Sequence, residues 1–296
     1  MKLESYVRPA GLEAALAVLA EPGLKPLVVA GGTDLIPMMR KMRMSGTLSN
    51  GDGPRVILDL SKLVALCGIR EEGGMLEIGA ATTMGVIAAD PSVRRLVPAL
   101  AAAAVSVGSP LVRNRATVGG NLVTASPSAD TAPALLAAGA VVRLVGAEAG
   151  PRELPLCEFF VEYRTTALQP GEIVTHVLVP LAGRPVAGRF EKVGLRNADA
   201  ISVVCAACEI ELDGLTCRAA RIGLGAVAAV PIRALAVESA LQGREITEDV
   251  AAECARLVHQ HISPIDDVRA SAQYRGWVAE AVVARLITDT ARQARA

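Results

Sequence analysis

Two Gly-Gly pairs carry the chemistry within reach of this sequence, each set against a short run of β-forming residues: VVAGGTDL (Val28 to Leu35) and TVGGN (Thr117 to Asn121). A glycine has no Cβ, so its amide can approach a charged group closely and its backbone can take dihedrals other residues avoid. Consecutive amides in such a bend form a concavity of partial positive charge that suits a diphosphate. Thr33 adds a hydroxyl, and the start of the following helix adds its dipole. The second pair runs on into TVGGNLVTASPSAD, which supplies Asn121, four hydroxyls (Thr117, Thr124, Ser126, Ser128) and the carboxylate of Asp130. Asp130 could accept from a ribose hydroxyl or cap the helix that TAPALL predicts. Taken singly, each glycine pair reads as a tight turn and Asp130 as an ordinary N-cap. Taken together they say more, because a turn needs neither so many hydroxyls nor an amide.

The pairs exclude two common phosphate sites. No Gly-x-x-x-x-Gly-Lys-Ser/Thr run occurs, and Ala30-Gly31-Gly32-Thr33-Asp34-Leu35 does not fit Gly-x-Gly-x-x-Gly. A diphosphate site built from two distant loops remains. No Ser-His-Asp order, HExxH or paired carboxylates stand out. His176, His259 and His261 are scattered; the last two sit two apart on a helix and read as surface residues. Cys205 and Cys208 fall on a predicted strand, where residues three apart face opposite sides, so they read as buried structural thiols rather than a metal pair. The methionines of PMMRKMRM are expected to pack inward while Arg40, Lys41 and Arg43 face water, with a contact surface for a partner subunit as the alternative. CEFFVEYRTT reads as a satellite core.

Alternating elements must hold these loops. GLEAALAVLAEPG predicts a helix, KPLVVAGG a strand, and TDLIPMMRKMRM a helix capped by Thr33 or Asp34. RVILDL, MLEIGA, AVVRLVG and EIVTHVLVP predict strands, and AADPSV separates two helical segments. LAGRPVAGR is the best linker candidate. Beyond it AISVVCAACEIEL and TCRAARIGLGAVA flank the turn DGL, an antiparallel hairpin signal, and two helices follow, the second capped by Thr247.

The bulk numbers narrow the class of function. A chain of 296 residues can bury a sizeable core, and its 52% hydrophobic content argues against disorder. Thirty Lys and Arg balance thirty Asp and Glu, and aromatics make up 2%, so neither a nucleic-acid footprint nor a base-stacking platform is expected. No apolar run reaches the ~18 residues of a spanning helix and no signal peptide is evident, which predicts a cytoplasmic protein.

VVAGGTDLIP and ATVGGNLVTASPSADTAPALLA resemble the signature segments of the FAD-binding medium subunits of molybdenum hydroxylases, of the carbon monoxide dehydrogenase and bacterial xanthine dehydrogenase type. RTTALQPGEIVTHVLVP, FEKVGLRNADAISVVCAACEI, RIGLGAVAAVPIRA and DVRASAQYRGWVAEAVV continue the resemblance in order along nearly the whole chain. It implies an α+β fold. A two-lobed FAD-binding domain of the para-cresol methylhydroxylase type would fill residues 1–178, with lobes of roughly 1–55 and 56–178. A smaller C-terminal domain of antiparallel sheet and helices would fill 179–296.

By the same resemblance FAD lies between the lobes. Val29, Ala30, Gly31, Gly32, Thr33, Asp34 and Leu35 would hold its diphosphate together with Thr117, Gly119, Gly120 and Asn121. Thr124 and Ser128 join that second segment, Asp130 and Lys192 contact the cofactor, and Val174 packs near the ring; CEFFVEYRTT, if not a satellite core, would be a flavin or partner contact. The implied partners are an iron–sulfur small subunit, a molybdenum cofactor large subunit, and an acceptor that is NAD, a quinone or ferredoxin. Catalytic side chains and metal ligands are not expected. A stand-alone FAD-dependent oxidoreductase and a cofactor-free assembly module are the competing readings.

Overall fold

A computed structural model describes residues 3–24, 26–44, 55–147, 150–181 and 187–295. Among the described residues, three sheets of three or more strands carry the fold. The first is parallel, with β1 (Leu3–Val7), β2 (Leu27–Val29) and β3 (Arg55–Asp59) in the order β1-β3-β2. Helix Leu12–Ala20 buries Ala15 and Leu16 in the same small core as Leu58, Leu60 and Leu63. β3 lies between its two partners, so the first sheet is completed by residues from 55 onward.

The second sheet is antiparallel, built from β4 (Ile69–Glu72), β5 (Met75–Gly79), β6 (Val141–Gly146), β7 (Gly150–Pro155) and, beyond the small hairpin β8 (Phe160–Glu162) and β9 (Thr165–Thr166), β10 (Glu172–Pro180). Its order is β4-β5-β10-β6-β7. On β6, buried Val142 and Leu144 alternate with half-buried Val141, Arg143 and Val145, the period-two pattern of a sheet with one face on a core. Alanines of helix Pro98–Ser106 are fully buried in that core, among them Ala99, Ala103 and Ala104. The break at AADPSV appears as expected: the Asp90 carboxylate accepts from the amides of Ser92 and Val93 and caps helix Pro91–Leu96.

The third sheet runs β11 (Ala187–Gly194), β12 (Ser202–Asp213), β13 (Thr216–Gly225) and β14 (Ile232–Arg233), antiparallel throughout. β12 and β13 form the predicted hairpin, with Gly214 in the turn at a φ of 58°. Val204, Ala206, Cys208 and Ile210 of β12 face a core shared with helix Ala272–Arg295, while Ala207 belongs to the core of the second sheet. Cys205 and Cys208 thus face opposite sides, as strand geometry predicts. Of the linker candidate, residues 182–186 lie outside the described residues. No helix among the described residues is long and apolar enough to cross a membrane.

Candidate functional site

The two glycine loops meet. A Cβ on Gly31 would overlap the carbonyl oxygen of Arg115 and touch Ala116, so the loop after β2 rests backbone to backbone on the segment entering TVGGN. A Cβ on Gly119 would come within 2.7 Å of the Ala80 Cβ and 2.8 Å of its oxygen. Both glycines are required by close approach. Gly32 is required by its backbone, at a φ of 74°.

A cleft of about 630 Å³ opens where the loops join, inside the ~300–1,000 Å³ usual for small-molecule and cofactor sites. Its wall contains Val29, Ala30, Gly31, Gly32, Thr33, Asp34 and Leu35 from the first loop. Thr117, Gly119, Gly120, Asn121, Thr124, Ser128 and Asp130 come from the second segment, and Val174 from β10. Lys192 is the exception among the residues expected here. It stands behind the wall, bonded to Asp130.

The donors are distributed differently from the sequence expectation. Among the described residues, the amides of Gly31, Gly32, Thr33, Asp34 and Leu35 have no protein acceptor. The second loop has largely committed its own: Val118 donates to the Thr82 carbonyl and Gly119 to that of Ala80. Gly120 donates to Thr117 Oγ1, and Asn121 to the Thr117 carbonyl. TVGGN is therefore no open nest. It begins the short helix Val118–Val123, with Thr117 as N-cap. What it offers the cleft is side chains. Asn121 accepts from Thr131 Oγ1 at 2.6 Å through Oδ1, which leaves its amino group to donate, and Ser126 and Ser128 pair at 3.2 Å.

Asp130 does not cap helix Thr131–Ala137, since its backbone is already helical and its side chain caps nothing. Its Oδ2 accepts from Lys192 Nζ at 2.6 Å and its Oδ1 from Ser202 Oγ at 2.5 Å; Lys192 also donates to the Ser106 carbonyl at 3.0 Å. Burial pushes the Asp130 carboxyl above its ordinary range, against the opposing pull of Lys192, Ser202 and Ser106.

Arg164, from the CEFFVEYRTT segment, also lines the cleft, as do Asp199, Ala200 and Ile201, which were not anticipated. Arg164 and Asp199 hold positive φ, at 56° and 50°, as does Ala125 at 46°, whose neighbours Thr124 and Ser126 lie on the wall. Non-glycine residues pay roughly 1–3 kcal/mol for such dihedrals, and these collect at binding sites. No sequence signal marks them. Arg164 reaches Asp34 at 3.8 Å across the mouth.

Outside the cleft, two expectations need correction. His261 is half-buried rather than free at the surface: its Nε2 accepts from the Ala236 amide at 2.8 Å, at the start of helix Leu235–Leu241. Met38 does not pack inward; it is 38% exposed on helix Leu35–Met44, beside exposed Ile36. Phe159 and Phe160 are buried, whereas Tyr163 is exposed. Burial pushes the thiols of Cys205 and Cys208 far up, which leaves them inert. No cluster of metal-ligating side chains occurs among the described residues.

Five amides without a protein acceptor, in a loop with Gly32 left-handed, line one cleft with the hydroxyls and amide of the second segment, a set that fits the diphosphate and polyol of a dinucleotide. Comparison with known proteins agrees. Residues 1–182 match the family described as FAD binding domain in molybdopterin dehydrogenase, and residues 189–290 match the CO dehydrogenase flavoprotein C-terminal domain. The carbon monoxide dehydrogenase medium chain of Hydrogenophaga pseudoflava is 30% identical over 95% of this chain and 95% of its own length. The 6-hydroxypseudooxynicotine dehydrogenase complex subunit alpha of Paenarthrobacter nicotinovorans is 29% identical over 98% and 95%. The solved structure of quinoline 2-oxidoreductase from Pseudomonas putida 86 superposes with a TM-score of 0.89 at 30% identity, covering 100% of both chains. With its α+β architecture, its two converging loops and matches along nearly its whole length, the chain belongs to the FAD-binding subunits of the molybdenum hydroxylases, which are oxidoreductases.

Proposed function

We propose that this chain is the electron-transfer subunit of a multisubunit molybdenum hydroxylase, receiving electrons from an iron–sulfur small subunit and delivering them to an external acceptor. A large subunit with the molybdenum cofactor would oxidise the substrate. The acceptor would be NAD, a quinone or ferredoxin. Residues 1–178 are assigned to the FAD-binding domain and 179–296 to the C-terminal domain.

The single observation that carries the reading is the run of unpartnered amides from Gly31 to Leu35 on the cleft wall. Those amides hold the diphosphate of FAD. Asn121, Thr124 and Ser128 supply side-chain donors and acceptors, and Val174 supplies apolar surface for the ring. Asp130, held by Lys192, presents a fixed acceptor to the cleft. When bound, FAD would supply the redox chemistry between the clusters and the acceptor. The chain's own residues bind and orient it.

Two measurements test this. The isolated chain should be yellow and release FAD on denaturation. Affinity capture from the native host should bring down two further chains together with iron and molybdenum; recovery of the flavoprotein alone, without either metal, would overturn the electron-relay assignment.

A further inference from the structure

Among the described residues, Asp130 is the one carboxylate of the cleft wall whose two oxygens are both taken by the C-terminal sheet. Lys192 of β11 is expected from the family resemblance. Ser202 of β12 is not, and its placement depends on an irregularity in the strand. Lys192 pairs with Cys205 and Val193 with Val204, but Gly194 pairs with Ser202, which leaves Val203 as an extra residue. In an unbroken strand Ser202 and Cys205, three apart, would face opposite sides. The bulge returns Ser202 to the side of Lys192 and Cys205, toward Asp130. Bulges re-aim side chains in this way beside functional sites. Ser202 is fully buried, and its hydroxyl reaches Asp130 Oδ1 at 2.5 Å.

We propose that Ser202 is a positioning residue of the cofactor site: through the bulge at Val203 it fixes the orientation of the Asp130 carboxylate, so that the C-terminal domain completes the wall of the FAD cleft. The inference rests on the assignment of that cleft to FAD. Three neighbours share the task. The Lys192 ammonium faces Asp130 from β11, the Cys205 thiol lies alongside on β12, and the Ser106 carbonyl closes the group from helix Pro98–Ser106. Ser202 donates its proton to Oδ1, so that oxygen must stay an acceptor. Without the donor, burial is opposed by Lys192 and Ser106 only, and Asp130 takes up a proton at higher pH. A protonated Asp130 offers the cleft one acceptor fewer.

The test is FAD titration of the deflavinated full chain from mildly acidic to mildly basic pH, followed by flavin fluorescence. Ser202→Ala should raise the Kd about tenfold, the usual weight of a hydrogen bond to a charged group. It should also move the acid-side loss of affinity to higher pH, and Ser202→Thr should restore both. On an Asp130→Asn background the same substitution should change the Kd by less than about twofold, because its effect passes through Asp130. If Ser202→Ala does not fold, the nearly isosteric Ser202→Cys, a weak donor, should give the same pattern. A Ser202→Ala chain that melts lower yet keeps the wild-type Kd and pH profile would assign Ser202 a structural role only and overturn the proposal. So would an undiminished loss on the Asp130→Asn background. A wild-type chain that takes up no FAD would instead overturn the cleft assignment, and this inference with it.

Discussion

Gly31 packs its α-carbon against the Arg115 carbonyl with no room between them for a methyl group. That contact joins the parallel-sheet lobe to the antiparallel one at the head of the cleft. Gly31→Ala should therefore push the two loops apart, costing about 1–3 kcal/mol of stability as overpacking against backbone does, and the chain should lose stoichiometric FAD. Thermal melting and the flavin-to-protein absorbance ratio read the two effects.

Gly32 separates conformation from space. Its neighbours Ile36 and Val29 would meet an added Cβ at 3.4 and 3.5 Å, ordinary contacts, but its φ is 74°. Gly32→Ala should cost roughly 1–2 kcal/mol for the left-handed backbone while leaving the fold intact. FAD affinity should fall further than stability does, because the five amides lose their common direction. Isothermal titration beside a melting curve would show the imbalance; equal losses would count against the amide cradle.

Lys192 and Asp130 form a buried pair, with side chains 13% and 8% exposed. Lys192→Met leaves the carboxylate buried without its cation, at a cost of about 3–5 kcal/mol near neutral pH. The sign with pH follows from burial, which already raises the folded pKa of Asp130 and would raise it further without Lys192. The folded variant then binds a proton that the unfolded chain does not, so its stability should recover as pH falls toward the unfolded value near 3.8. Denaturant midpoints measured across that window provide the check.

Asp59, at the end of β3, works in the opposite sense. Burial pushes its carboxyl up, but hydrogen bonds from Tyr6, Ser61 and Arg8 prevail and bring it down to about 2. Its contribution is present above the unfolded value of 3.8 and is lost as pH falls from there toward about 2. Asp59→Asn should flatten that part of the acid denaturation profile while lowering stability at neutral pH.

Much of the site was legible because its parts are glycines, hydroxyls and a carboxylate at recognisable spacing. The strand and helix flanking the first loop, the break at Asp90 and the β12–β13 hairpin follow from apolar periodicity and turn residues. The roles within the site were less legible. TVGGN reads as a bend, but Thr117 caps a helix there, and Gly119 is small in order to fit against Ala80. Whether an amide is free depends on which distant carbonyl lies opposite, here those of Ala80 and Thr82, and local sequence carries no record of that. Asp199 and Ser202 escaped for the same reason. A turn with positive φ and a bulge of one residue are set by the partner strand and the packing around them.

The place of β10 has a consequence for how the molecule is made. The strand comes last in sequence among its sheet yet lies between β5 and β6. Until it is synthesised, the hairpins β4–β5 and β6–β7 each present a bare backbone edge, which invites mispairing with other chains. Nascent molecules should therefore pass through an aggregation-prone interval that ends only when the strand slots between its waiting neighbours, and chaperone demand should be greatest there.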